Sequence, residues 1–139
     1  MIEFMHHVQL AMPMNGEDRA RAFYVDVLGF EEVEKPAILK DRGGVWFTRA
    51  TIDLHLGVEE PFIPAKKAHP AFGVASLDEI IWHLQNRKVA YRRDIDLPTN
   101  RRIYIDDPFE NRIELLELLR RSPILATSGL HSSSEKLRF

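Results

Sequence analysis

The chain has 139 residues, no cysteine and a formal net charge of −2, with 45% apolar and 29% charged residues. That is the size and balance of one globular domain. It excludes a disulfide scaffold, a thiolate metal site and a cysteine nucleophile, and it offers no basic excess to hold nucleic acid. No apolar run approaches the 18 or more residues of a membrane span, and the N-terminus lacks the basic head and apolar stretch of a signal peptide. The expectation is a cytoplasmic protein with no membrane partner.

His6 to Met12 alternates with period two, Val8, Leu10 and Met12 against His7, Gln9 and Ala11, which reads as a strand with two different faces. Asn15-Gly16 breaks it, and Ala20, Phe23, Tyr24 and Val27 then fall at helical spacing over Glu17 to Leu28. Glu17 and Asp18 suit the positive end of that helix, and Gly29 is a natural stop. Phe30 to Val33, Val45 to Arg49 and Ile52 to Val58 read as three strands.

A second round follows the connector marked by Pro61 and Pro64. His69 to Ala75 is strand-like, Ser76-Leu77-Asp78-Glu79 has capping-box spacing, and the helix it opens closes near Arg87. Strands fit Val89 to Arg93, Arg101 to Ile105 and Asn111 to Leu118. The order is that of a duplicated βαβββ module in an α+β domain over residues 1–121. Residues 122–139, polar and unpatterned, read as a flexible C-terminal tail.

Strand parity sorts the chemistry. His7 shares a face with Gln9, Asp53 with His55, His69 with the small Ala71 and Gly73, and Glu114 with Arg112 and Leu116. Each module thus offers a polar residue on its first strand (His7, His69) and another on its last (His55, Glu114). A pseudo-twofold between modules would make these four converge. Imidazole plus carboxylate with open positions suits a catalytic divalent ion such as Zn, Fe, Ni or Mn. Asp53 stands as an alternative to His55. Parity turns Glu117 away from the site and His6 opposite to His7; His83, in the second helix, and His131, in the tail, read as solvated. Arg101, Arg102 and Arg112 are candidates for an anionic substrate but also ordinary surface arginines. Trp46, Phe47 and Phe109 could wall a pocket, with core packing the competing role.

Three segments carry a family resemblance: His7-Val8-Gln9-Leu10-Ala11; Ala22-Phe23-Tyr24 with Val27-Leu28-Gly29-Phe30; and Asp107-Pro108-Phe109-Glu110-Asn111-Arg112-Ile113-Glu114-Leu115. With His69-Pro70-Ala71-Phe72 they make the chain resemble the vicinal oxygen chelate superfamily of glyoxalases, bleomycin-resistance proteins and dioxygenases, in its glyoxalase-like subgroup. The resemblance implies an open, partly closed mixed β-barrel with helices outside, and homodimers, with modules paired within or between chains. It matches His7, His69 and Glu114 to metal-binding positions. The fourth position, a Glu in glyoxalase I, falls near Asp53 or His55. Glu110 stands where many members have Gly, which implies a turn different in backbone or charge.

The activity implied is lyase, isomerase or dioxygenase chemistry on a small oxygen-rich substrate. A divalent metal chelates two neighbouring oxygens, an enolate or oxyanion is stabilised, and Glu114 serves as the proton-moving catalytic residue. The alternative is a metal-free small-molecule binding protein of the bleomycin-resistance type, sequestering a drug or antibiotic.

Overall fold

The computed structural model describes residues 1–120; the tail at 122–139, with His131, lies outside them. The first module comprises β1 (Val8–Met12), α1 (Glu17–Tyr24), β2 (Glu31–Val33), β3 (Val45–Arg49) and β4 (Ile52–Val58), with a 3-10 turn at Ala37–Arg42 between β2 and β3. The second comprises β5 (Ala71–Gly73), α2 (Leu77–Asn86), β6 (Arg92–Arg93), β7 (Asn100–Asp106) and β8 (Arg112–Leu118). Each module folds into its own four-stranded sheet, ordered β1-β4-β3-β2 and β5-β8-β7-β6. In both, the first strand runs parallel to the last and the remaining pairs are antiparallel. The result is an α+β fold of two mixed sheets that are not closed on each other.

Period-two burial builds the core. Met12, Leu54 and Leu56 from the first sheet and Ile103, Ile105, Ile113 and Leu115 from the second are buried in one cluster with Tyr24, Phe47, Leu77 and Leu84. α1 packs on β3 and α2 on β8. The N-cap half of the capping box forms: the Ser76 hydroxyl accepts from the Glu79 N–H at 3.2 Å. The Glu117 carboxylate accepts from the Leu77 N–H at 2.8 Å, which employs it at the start of α2, away from Glu114.

α1 is shorter than the periodicity predicts. After Tyr24 the chain widens, with Leu28 N–H bonded to Phe23 O and Phe30 N–H to Tyr24 O, and Gly29 supplies the positive φ of 77° that ends it. Val27 and Leu28 remain packed on the core, so their apolar spacing reflects burial beyond the helix proper.

Two further contacts tie the modules together. The Asn111 amide donates to Ala11 O at 2.7 Å. His83, expected to be solvated, is half-buried, with Nε2 2.7 Å from Val27 O. The widened turn after α1 leaves that carbonyl facing α2, and the imidazole N–H satisfies it. Among the described residues no helix is long and apolar enough to cross a membrane.

Candidate functional site

The cross-strand register repeats between modules. His55 sits opposite Gln9, two residues after His7, and opposite Trp46 on its other side. Glu114 sits opposite Ala71, two residues after His69, and opposite Tyr104. His55 and Glu114 are therefore structural counterparts, as are Trp46 and Tyr104. Both site-bearing faces lie away from the core. Leu54 and Leu56 flank His55 on the core side, and Ile113 and Leu115 flank Glu114 in the same way.

His55 is nevertheless 7% exposed, because two rings cover it. Trp46 stacks on it at 3.8 Å with 2° between planes, and His7 stacks at 4.3 Å. Burial holds the His55 imidazole below its ordinary range, and the neighbouring His7 pushes in the same direction while Asp53 partly opposes. His6, expected opposite to His7, instead brings its Nδ1 to 2.9 Å from that of His7. β1 begins only at Val8, so strand parity does not govern the two histidines.

On the second sheet Glu114 is 8% exposed and each of its oxygens has a different neighbour. Oε2 lies 3.1 Å from His69 Nε2, and Oε1 accepts from Arg102 Nη1 at 3.4 Å. The other His69 nitrogen, Nδ1, lies 2.8 Å from the Lys67 carbonyl, so Nδ1 carries the hydrogen. In a neutral ring Nε2 is then an acceptor facing an acceptor. The contact is completed by a second proton on the imidazole or by a cation between the two atoms. Two ligand atoms on one ion, each about 2.0–2.2 Å from it, stand about 3.0–3.5 Å apart, and the pair has that separation. A ligating His whose other N–H is fixed by a backbone carbonyl is the usual second-shell arrangement. The donor set fits a divalent ion. At the far end of β5, a Cβ at the Gly73 position would meet no atom within 4 Å, so the space over that end of the strand is open.

The four sequence candidates come as two pairs, His7 with His55 and His69 with Glu114, on separate sheets. Among the described residues no group of three or more His, Asp or Glu side chains gathers to hold one ion. The two pairs are carried by different sheets, β1 with β4 and β5 with β8, which leaves open whether they meet within a chain or between chains.

Sequence reasoning passed over Tyr104 and left Arg102 as a surface candidate. Arg102 donates to Tyr104 Oη at 3.2 Å, and the Tyr104 ring stands edge-on to His69 at 5.4 Å. Parity counted along β7 as well as β8 puts both on the Glu114 face. Phe47 and Phe109 pack in the core, whereas Trp46 serves the site face by covering His55.

Residues 5–115 match the sequence model of the glyoxalase/bleomycin resistance protein/dioxygenase superfamily. The chain belongs to this superfamily. A glyoxalase family protein from Bacillus anthracis is 44% identical over 86% of this chain and 98% of its own, with a TM-score of 0.83. Two more distant structures share the fold. The fosfomycin resistance protein FosX from Listeria monocytogenes is 19% identical, covers 86% of this chain and 96% of its own, and has a TM-score of 0.69. The antibiotic binding protein TnmS3 from Streptomyces sp. CB03234 is 22% identical, covers 86% and 100%, and has a TM-score of 0.67. No curated protein matches the chain in sequence.

Proposed function

We propose that this superfamily member is a metal-dependent enzyme acting on a small oxygen-rich substrate, with His69 and Glu114 as the core of its ion site. The observation that carries the reading is the 3.1 Å approach of His69 Nε2 to Glu114 Oε2, with the other His69 nitrogen held by the Lys67 carbonyl. A bound divalent ion would supply Lewis-acid polarisation of two adjacent substrate oxygens. Glu114, held ready at one oxygen by Arg102, would take and return the proton that the substrate exchanges. Tyr104 and the open space over Gly73 would bound the substrate.

A third ligand would come from the His7–His55 face. The two sheets of one chain do not close on each other, so we assign the pairing to a homodimer in which a second copy brings its first sheet against this chain's second. His7 is the exposed member of its pair and the one free to reach an ion. His55, locked between Trp46 and His7, would orient it.

Metal analysis of the purified protein tests the site. The wild type should carry a divalent ion and the His69→Ala variant should not; equal content in both overturns the reading.

The metal-free binding reading has its own support in the Trp46–His55–His7 stack, an aromatic face suited to a planar ligand. TnmS3, an antibiotic binding protein, shares this fold. Tight binding of such a ligand, unchanged by a chelator and abolished by Trp46→Ala, would favour it over catalysis.

A further inference from the structure

We infer that Arg102 is a positioning residue for Glu114, fixing which carboxylate oxygen is presented to an ion and coupling that choice to the β6–β7 loop. This rests on the ion-site reading above. One guanidinium makes four contacts. Nη1 donates to Glu114 Oε1 at 3.4 Å and to Tyr104 Oη at 3.2 Å, Nη2 pairs with Asp94 at 3.1 Å, and Nε donates to Ile95 O at 3.2 Å. Asp94 and Ile95 follow β6 directly, so the loop and the candidate ligand are held by one side chain.

The division of labour at Glu114 follows from geometry. With Oε1 engaged by Arg102, rotating the carboxylate to offer that oxygen would break the contact, and Oε2 stays beside His69 Nε2. A ligand fixed in this way offers one oxygen and leaves further positions on an ion open for substrate. A second cation beside an ion site also repels the ion, and the sign of the net effect depends on its compensation. The Asp94 carboxylate, 3.1 Å from Arg102 against 3.4 Å for Glu114, offsets part of the guanidinium's charge, and we take orientation as the larger effect. Arg102 has 19% of its side chain exposed, which limits the rotamers that could break the arrangement.

The test is titration of the metal-free protein with Co2+ alone, read by calorimetry and by the visible absorption of the bound ion. Arg102→Met should weaken Co2+ binding about 10- to 100-fold, the usual cost of losing a second-shell partner, and alter the absorption band as the carboxylate rotates. Arg102→Lys, retaining a donor and the charge, should recover much of the affinity and the wild-type band. Arg101→Met serves as the charge control. It removes the same charge one residue away, where Arg101 pairs with Asp78 at 3.0 Å and reaches Glu117 at 3.8 Å, and it should bind Co2+ like the wild type.

Wild-type affinity and band in Arg102→Met, or tighter binding, overturns the positioning role while leaving the ion site standing. Equal weakening in Arg101→Met and Arg102→Met overturns it in favour of bulk electrostatics. A wild type that takes up no Co2+ overturns the ion-site reading and this inference with it. Should Arg102→Met fail to fold, Arg102→Leu carries the same comparison, likewise removing both the donors and the charge.

Discussion

The Tyr24 hydroxyl of α1 donates to Asp107 Oδ2 at 2.7 Å, joining residues 83 positions apart and in different modules. Asp107 is buried, and its other oxygen accepts the Phe109 and Asn111 backbone N–H groups at 2.8 and 2.9 Å. The Asn111 amide completes the set by bonding both Asp107 Oδ2 and Ala11 O. Segments that carry the family resemblance in the sequence, Ala22-Phe23-Tyr24 and Asp107 to Asn111, are thus one inter-module bracket. Tyr24→Phe leaves that carboxylate with one fewer donor, and a hydrogen bond to a charged group contributes about 1.5–3 kcal/mol. Denaturant unfolding should show a loss in that range with an unchanged m-value. A variant as stable as the wild type would mean that the bracket does not hold the modules together.

The same pair predicts an alkaline signature. Burial, reinforced by Asp107, pushes the Tyr24 hydroxyl well above its ordinary value of 10.0. A group whose folded pKa is raised contributes stability that is fully present below the unfolded value and lost as pH rises toward the folded one. The stability gap between wild type and Tyr24→Phe should therefore be constant below pH about 10 and narrow above it. A gap that stays flat through that range contradicts the assignment.

Glu110, where many members of the family have Gly, implies a turn different in backbone or charge. Its backbone is left-handed, with φ 69° in the turn between β7 and β8, and its side chain is exposed, so the charge is what it adds there. An L-residue in that region costs about 1–2 kcal/mol, partly offset because Gly is more flexible when unfolded. Glu110→Gly should raise stability by about 0.5–1 kcal/mol, read as a higher Tm. Glu110→Ala, which retains the strain, should not.

His55 is held below the ordinary imidazole value of 6.5 by burial, chiefly under Trp46 and His7, with His7 adding charge repulsion. Because its folded pKa is depressed, its contribution to stability is present above 6.5 and is lost as pH falls through the folded value. In the metal-free protein its ring protons, followed by NMR, should titrate at lower pH than an exposed histidine. Trp46→Ala should move the midpoint upward. Titration of His55 at the ordinary value in the wild type would show that the stack does not desolvate it.

Alternation along single strands made the modules and the residues of the candidate site legible. Val8, Leu10 and Met12 face the core as their spacing predicts, and so do Ile113 and Leu115. The same parity separates Glu114 from Glu117. What a single strand cannot reveal is its neighbour's register, which depends on the length and shape of the connecting turn. Trp46 over His55 and Tyr104 beside Glu114 are cross-strand facts of that kind. Nor does alternation say whether two sheets close on each other. The pairs His7–His55 and His69–Glu114 were individually visible, but their separation on two open sheets was not.

Glu114→Gln separates stability from ion binding at the site. The amide is nearly isosteric with the carboxylate. Its oxygen can accept from Arg102 Nη1 while its NH2 donates to His69 Nε2, replacing two facing acceptors by a donor and an acceptor. The metal-free variant should therefore melt at or above the wild-type temperature. Its affinity for a divalent ion should fall by at least about 100-fold, beyond the loss of a second-shell partner, because the charged ligand itself is gone. Turnover of any substrate that depends on proton transfer by Glu114 should fall with it, even at saturating metal. A variant that keeps wild-type metal content, or one that unfolds at lower temperature without metal, would show that the 3.1 Å contact is an ordinary ion pair serving the fold.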